Sequence, residues 1–126
     1  MWGNIMNKTL IDINNCQVDG KAKRHNSNKP DLSLIPLCLL EDEARVWQHG
    51  ATKYEKNNWM RGQKWSIPLA SAFRHLAKWQ AGQDMDDESG ESHIAHAIAN
   101  LHMITLYMRT YKDGDDRCKC EYYDAD

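Results

Sequence analysis

The chain has 126 residues, a formal charge of −2 at pH 7 and a pI of about 6.3. That length suits one domain with its own core, and the near-balanced charge excludes a general nucleic-acid binder, which would carry a basic surplus. The longest apolar run, Leu34 to Leu40, is broken by Pro36 and is too short for a membrane span. The opening MWGNIMNKTL lacks the charged start and apolar stretch of a signal peptide, so a soluble, cytoplasmic protein with no membrane partner is expected.

Residues 1–28 read as a polar arm with one short apolar alternation, Thr9 to Ile13, that fits a strand or an extended cover. KAKRHNSNKP reads as a loop closed by Pro30. Its basic cluster Lys21, Lys23, Arg24 and His25 is read as solvated, with a phosphate contact in an oligomer as the alternative.

A helical domain is expected over residues 29–112. From Pro36 onward, Leu37, Leu40, Ala44, Trp47 and Ala51 fall three or four apart and make one apolar stripe. Pro36 suits the first turn, and Glu41, Asp42 and Glu43 favour the helix N-terminus electrostatically. Gly50 is expected to end or loosen this helix, and EKNNWMRGQKW reads as loop. Ser66 and Pro68 open a second helix with Leu69, Ala72, Phe73, Leu76 and Trp79 as its buried stripe. Arg74 and Lys78 point away from that stripe, His75 lies on its border, and Gly82 ends the helix.

Ser89 is the expected N-cap of a third helix that runs to about Tyr111. Ile94, Ala97, Ile98, Leu101, Met103, Ile104, Leu106 and Met108 make it apolar around much of its circumference. A helix buried so widely needs partners on several sides, and three helices offer few, so a homo-oligomer is inferred. Residues 113–126 read as an acidic, flexible tail. The fold expected is mainly α: a small helical domain of three main helices with an extended N-terminal arm, packed as an oligomer.

Cys16, Cys38, Cys118 and Cys120 suggest no disulfide framework. Cys38, among leucines, reads as a small core residue. The Cys118-x-Cys120 pair reads as solvated thiols in preference to part of a zinc site.

Three clusters carry chemistry. On the third helix His93, His96 and Asn100 share one face, extended by Tyr107. Any one of them is ordinarily a buried hydrogen-bonding residue. His75, His93 and His96 together, beside four carboxylates, favour a ligand or metal site, whereas His102 reads as a surface or interface residue. The loop Asp84-Met85-Asp86-Asp87-Glu88 is equally well a solvated turn or a holder of Mg²⁺ or Mn²⁺ against phosphate oxygens. HGATKYEKNNW offers His49, Lys53, Tyr54, Asn58 and Trp59, the cation, amide and rings that a nucleotide pocket uses. Each also has an ordinary role in packing or solvation.

KPDLSLIP, then EARVWQHGATKYEKNNW, then FRHLAKWQAGQDMDDESGESHIAHAIANLHMI resembles a phage and prophage family, the dATP/dGTP diphosphohydrolase N-terminal domain. The resemblance covers residues 29 to about 108, with its motifs in order. More distantly the chain is similar to the all-α MazG-like nucleotide pyrophosphohydrolases. Lys29, Gly50, Ala51, Lys53, Tyr54, Asn58 and Trp59 match the first half of the pattern. Arg74, His75, Asp86, Glu88, Ser89, Gly90, His93, His96 and Asn100 match the second.

The resemblance implies nucleotide binding and cleavage to a monophosphate and pyrophosphate, in the host cytoplasm if the chain is phage-encoded. One departure is plain: MazG-like enzymes hold Mg²⁺ with paired helix acids, and here the third helix has histidines and Asn100. Glu41, Asp86, Asp87 and Glu88 are the substitute metal ligands. His75, His96 and Glu88 are the candidate catalytic residues. Lys29, His49, Lys53, Tyr54, Asn58, Trp59, Arg74, His93 and Asn100 are the candidates for substrate binding. A non-catalytic oligomer that sequesters a nucleotide, such as a host defence signal, is the alternative. A structural helical oligomer whose polar stripe is internal hydrogen bonding is a third.

Overall fold

The computed structural model describes Leu10 and residues 12–120, and these divide at Leu34–Ile35 into two units. The N-terminal unit is held by local turns. Asp12 accepts from the Asn14 N–H at 2.9 Å and the Asn15 side-chain amide at 2.8 Å, the usual turn chemistry of an aspartate. Asp31 accepts from the Ser33 N–H at 3.0 Å at the start of a 3₁₀ turn, Leu32–Leu34. The Thr9–Ile13 alternation lies partly outside the described residues, and Ile13 begins a turn.

The second unit contains three α-helices, α1 (Leu40–Lys53), α2 (Ser66–Gln80) and α3 (His93–Thr110). The described residues form no strand, only an isolated bridge between Met85 and Ser92. The protein is mainly helical, as its periodicity predicts. No helix among the described residues is long and apolar enough to cross a membrane.

Helix α1 starts four residues beyond Pro36, because Leu37–Leu39 form a 3₁₀ turn first. Gly50 does not end it: the Tyr54 N–H still reaches the Gly50 carbonyl at 3.0 Å. One glycine costs a helix about 1 kcal/mol, and packing against α3 outweighs that. The contact centres on Val46, Ala95 and Ala99 with Trp47 against them. Glu43, also buried, accepts from Trp47 Nε1 at 3.0 Å and from His102 Nδ1 at 2.8 Å. His102 is half-exposed, a surface residue as expected, and its bond to Glu43 also links α3 to α1.

Helices α2 and α3 make the most extensive contact. Small residues let them approach: Ala72 of α2 and Ala97 of α3 are buried. The start of α2 takes its anion from far along the chain, since the Ser66 N–H donates to Asp116 Oδ1 at 3.1 Å and the Ser66 hydroxyl donates to Oδ2. Trp65 is fixed by the same segment. Its backbone N–H donates to the Gly114 carbonyl and its indole N–H to the Tyr111 carbonyl, both at 3.0 Å. The tail up to Arg117 is thus pinned to α2, not loose as its composition suggests.

Helix α3 is capped by Ser92, whose hydroxyl accepts from the Ala95 N–H at 3.3 Å. The cap is not Ser89, which is spent on closing the preceding loop. Two further expectations are corrected. Cys38 is exposed, and the α2 stripe is only partly covered, with Phe73, Leu76 and Trp79 exposed by 60%, 39% and 48%.

Candidate functional site

Between α1, the α1–α2 connection, α2 and α3 lies a pocket of about 990 Å³, at the upper end of the roughly 300–1,000 Å³ typical of small-molecule sites. One wall is α1 and the residues after it: His49, Lys53, Tyr54, Asn58 and Trp59 all line it. The opposite side comes from Arg74 and His75 of α2, Asp86 and Glu88 of the acidic loop, and His96 and Asn100 of α3. Residues from three separate sequence clusters thus meet on one cavity.

Not every candidate does. Lys29 belongs to the N-terminal unit. Glu41 and Asp87 are exposed and outside the pocket lining. His93 is fully buried behind the wall. Sequence reasoning missed Trp47, Gln63 and Lys78, which also line the cavity; the apolar stripe of α1 and the outward placing of Lys78 hid two of these.

The aromatic side of the pocket is rigidly mounted. Tyr107, fully buried, donates its hydroxyl to the Trp59 carbonyl at 2.5 Å and accepts from Gln63 Nε2 at 3.1 Å. Burial pushes that phenol above its usual range, so it stays a donor. Trp59 in turn lies 4.9 Å from Trp47, centroid to centroid. Tyr107 therefore holds the Asn58–Arg61 3₁₀ turn against α3 and presents Trp59.

The acidic loop is a closed structure. The Asp86 N–H donates to the Glu91 carbonyl and the Gly90 N–H to the Asp86 carbonyl, both at 2.8 Å, and the His93 N–H to the Asp84 carbonyl at 3.0 Å. Gly90 has φ +73°, a left-handed turn that favours glycine. This folding turns Asp86 inward and leaves Asp87 outside. Asp86 Oδ2 accepts from the Ser89 N–H at 2.9 Å and the Ser89 hydroxyl at 2.8 Å. Burial pushes the Asp86 carboxyl up, but these two donors and the nearby His96 leave it below the ordinary carboxylate range.

Hydrogen-bond roles fix the imidazole tautomers. The Ser89 hydroxyl gives its proton to Asp86, so it accepts from His96 Nε2 at 2.7 Å, which leaves His96 Nδ1 unprotonated. The Gln83 amide oxygen can only accept, so His93 Nε2 donates to it at 3.0 Å. His93 Nδ1 is then an acceptor, and His75 Nδ1, 2.9 Å away, donates to it. His75 stacks on His96 with ring centroids 4.3 Å apart and planes 5° from parallel. Burial first, then the neighbouring His96, lower the His75 pKa to about 4, and burial lowers that of His96. Both rings are neutral at pH 7, each with one unprotonated ring nitrogen.

Lys53 reaches across to Glu88 at 2.6 Å. Hydrogen bonding to Lys53 holds Glu88 below its usual range and raises Lys53 in return. The pair is exposed, and such pairs contribute little to stability, so an incoming anion can take the lysine at small cost. Lys53 on one wall and Arg74 and Lys78 on the other supply the pocket's positive charge beside its rings and amides.

The chain matches the family described as "dATP/dGTP diphosphohydrolase, N-terminal" over residues 19–117. The protein belongs to this family. It is 35% identical over 94 residues to a dATP/dGTP diphosphohydrolase of Salmonella phage PMBT28. That alignment takes in 75% of this chain and 32% of the relative, so the chain spans about a third of the relative's length. No solved structure matches. All of the pocket-lining residues described above fall within the family match.

Proposed function

We propose that this pocket binds a purine deoxynucleoside triphosphate and hydrolyses it to a monophosphate and pyrophosphate. The observation that carries the reading is one cavity in which Lys53, Arg74 and Lys78 supply positive charge, Trp59 and Tyr54 supply rings, and Asn58 and Asn100 supply amides. Lys and Arg neutralise phosphate oxygens, aromatic faces stack on the base, and amides bond its edge. Asn100 gives one amide hydrogen to the His96 carbonyl at 2.9 Å, which fixes its orientation. His49, beside Lys53 on the α1 wall, adds a further polar contact.

In the reaction, water attacks the α-phosphorus and the bond from that phosphorus to the bridging oxygen breaks. Pyrophosphate leaves, and the water proton passes to a base. His96 and His75, both neutral at pH 7, are the bases proposed, with Glu88 as a third acceptor once Lys53 turns to phosphate. Asp86 and Glu88 are the pocket carboxylates that would hold Mg²⁺ or Mn²⁺, whose positive charge would offset the charge developing on phosphate. We also propose a homo-oligomer, because the exposed Phe73, Leu76 and Trp79 of α2 and Ile98, Leu101 and Met108 of α3 form an apolar surface on the two principal helices.

A second reading, nucleotide binding without cleavage, is favoured by one observation: the similarity covers only about a third of the phage relative. Purified protein incubated with dATP, dGTP and pyrimidine controls, with Mg²⁺, Mn²⁺ or Co²⁺ added, separates the two. Equimolar monophosphate and pyrophosphate is the expected product. Intact triphosphate recovered from a complex would reject cleavage and retain binding.

A further inference from the structure

His75, Asp86 and His93 come from α2, the acidic loop and the first turn of α3, yet their donor atoms all lie within 4.8 Å of one another. The two Nδ1 atoms are 2.9 Å apart. Nitrogens each ~2.05 Å from one ion would be ~2.9 Å apart at a right angle and ~3.3 Å apart at the tetrahedral angle. The observed 2.9 Å is the spacing of two ligands at a right angle on one ion, and equally that of the N–H···N hydrogen bond made in the ion's absence. His93 is fully buried, and its other nitrogen is held by the Gln83 carbonyl oxygen at 3.0 Å. Metal-binding imidazoles are commonly oriented in this way by a carbonyl or carboxylate on the second nitrogen. Asp86 is oriented too: the two Ser89 donors and His96 all address Oδ2, and among the described residues Oδ1 has no hydrogen-bond partner.

We propose that His75 Nδ1, His93 Nδ1 and Asp86 Oδ1 form a site for a divalent transition-metal ion such as Zn²⁺, Co²⁺ or Mn²⁺. The ion takes the place of the proton shared by the two Nδ1 atoms, and that proton moves to His75 Nε2, so His75 stays neutral. Two imidazoles and one carboxylate favour this class over Mg²⁺, which selects oxygen ligands. Three protein ligands leave coordination positions open, and His75 and Asp86 both line the pocket. With His75 as a ligand, the stacked His96 is left as the base. Occupancy is read with no nucleotide present, so failure of this assignment is distinguishable from failure of the cleavage reading.

Full-length protein with its four exposed cysteines changed to serine removes competing thiols. After stripping with a chelator, it is titrated with Co²⁺ while the d–d absorption is followed. One equivalent is expected to bind, Zn²⁺ to displace it, and millimolar Mg²⁺ to leave it in place. His75→Gln and Asp86→Asn are each expected to weaken binding tenfold or more while circular dichroism keeps its helical signal. Unchanged affinity in those variants, absence of a saturable spectrum, or displacement by Mg²⁺ would overturn the assignment. Histidine-selective ¹⁵N NMR of the unaltered histidines supplies a readout that needs no variant. Zn²⁺ is expected to shift the ring nitrogens of His75 and His93 and leave His25 in place; shifts confined to other histidines count against the site.

Discussion

Tyr107 shows how much of the pocket depends on one side chain. Its hydroxyl both donates to the Trp59 carbonyl and accepts from Gln63, so Tyr107→Phe strands two partly buried groups. Leaving buried partners unsatisfied costs about 1–3 kcal/mol. The variant is expected to melt at lower temperature and to bind nucleotide more weakly, because Trp59 loses its mount. Thermal denaturation and tryptophan fluorescence check this; an unchanged melting temperature would show that the pair of bonds is not stabilising. Lys53 is the contrasting case. Its partner Glu88 is exposed, so Lys53→Ala should leave the denaturation midpoint nearly unchanged yet raise the nucleotide Kd roughly tenfold, the loss of one charge-assisted contact. Denaturant titration and binding measured on the same preparation distinguish these effects.

At the scale of elements, local pattern reveals helices better than it reveals their ends. The α2 boundaries lie where Ser66, Pro68 and Gly82 suggest, although Ser66 is the first helical residue and its hydroxyl bonds Asp116 and not the helix backbone. The sequence alone does not place the N-cap of α3, because Ser89 and Ser92 are equally good capping residues. The choice is made by Asp86, which engages Ser89, and that contact becomes visible only when the loop is folded. The α2 N-terminus has a similar hidden partner in Asp116. Asp116→Ala is expected to lower the denaturation midpoint, as losing a helix cap does, and an unchanged midpoint would refute that role. Residue types marked His49, Lys53, Asn58, Arg74 and Asn100 as candidates, but not Gln63 or Lys78, because which outward faces meet across a cavity is a tertiary matter. Likewise Phe73, Leu76 and Trp79 repeat as an apolar stripe, and periodicity does not specify what covers it.

At the scale of the whole molecule, the imidazole cluster makes folding depend on pH. In metal-free protein His75 titrates at about 4 instead of 6.5, so between those values the unfolded chain takes up a proton that the folded chain refuses. Stability is therefore full above pH 6.5 and falls as pH is lowered toward 4; His96, lowered by burial, acts in the same direction. Discounted for partial exposure, the loss is on the order of 1–2 kcal/mol. Urea unfolding in chelator at pH 7 and pH 4.5 measures it, and equal stability at the two values would contradict the buried neutral stack. The apolar surface across α2 and α3 predicts that Leu76→Asp converts an oligomer to monomer in sedimentation. A wild-type monomer would remove that expectation.

The central claim is that one pocket, assembled from α1, the acidic loop, α2 and α3, holds a nucleoside triphosphate. Its most direct test is a calorimetric titration of chelator-treated protein with dATP or dGTP, beside the Lys53→Ala, Arg74→Ala double variant. Saturable binding at one site per chain is expected, lost or weakened at least a hundredfold in the variant. No saturable heat with either nucleotide, or equal affinity in the variant, would contradict it.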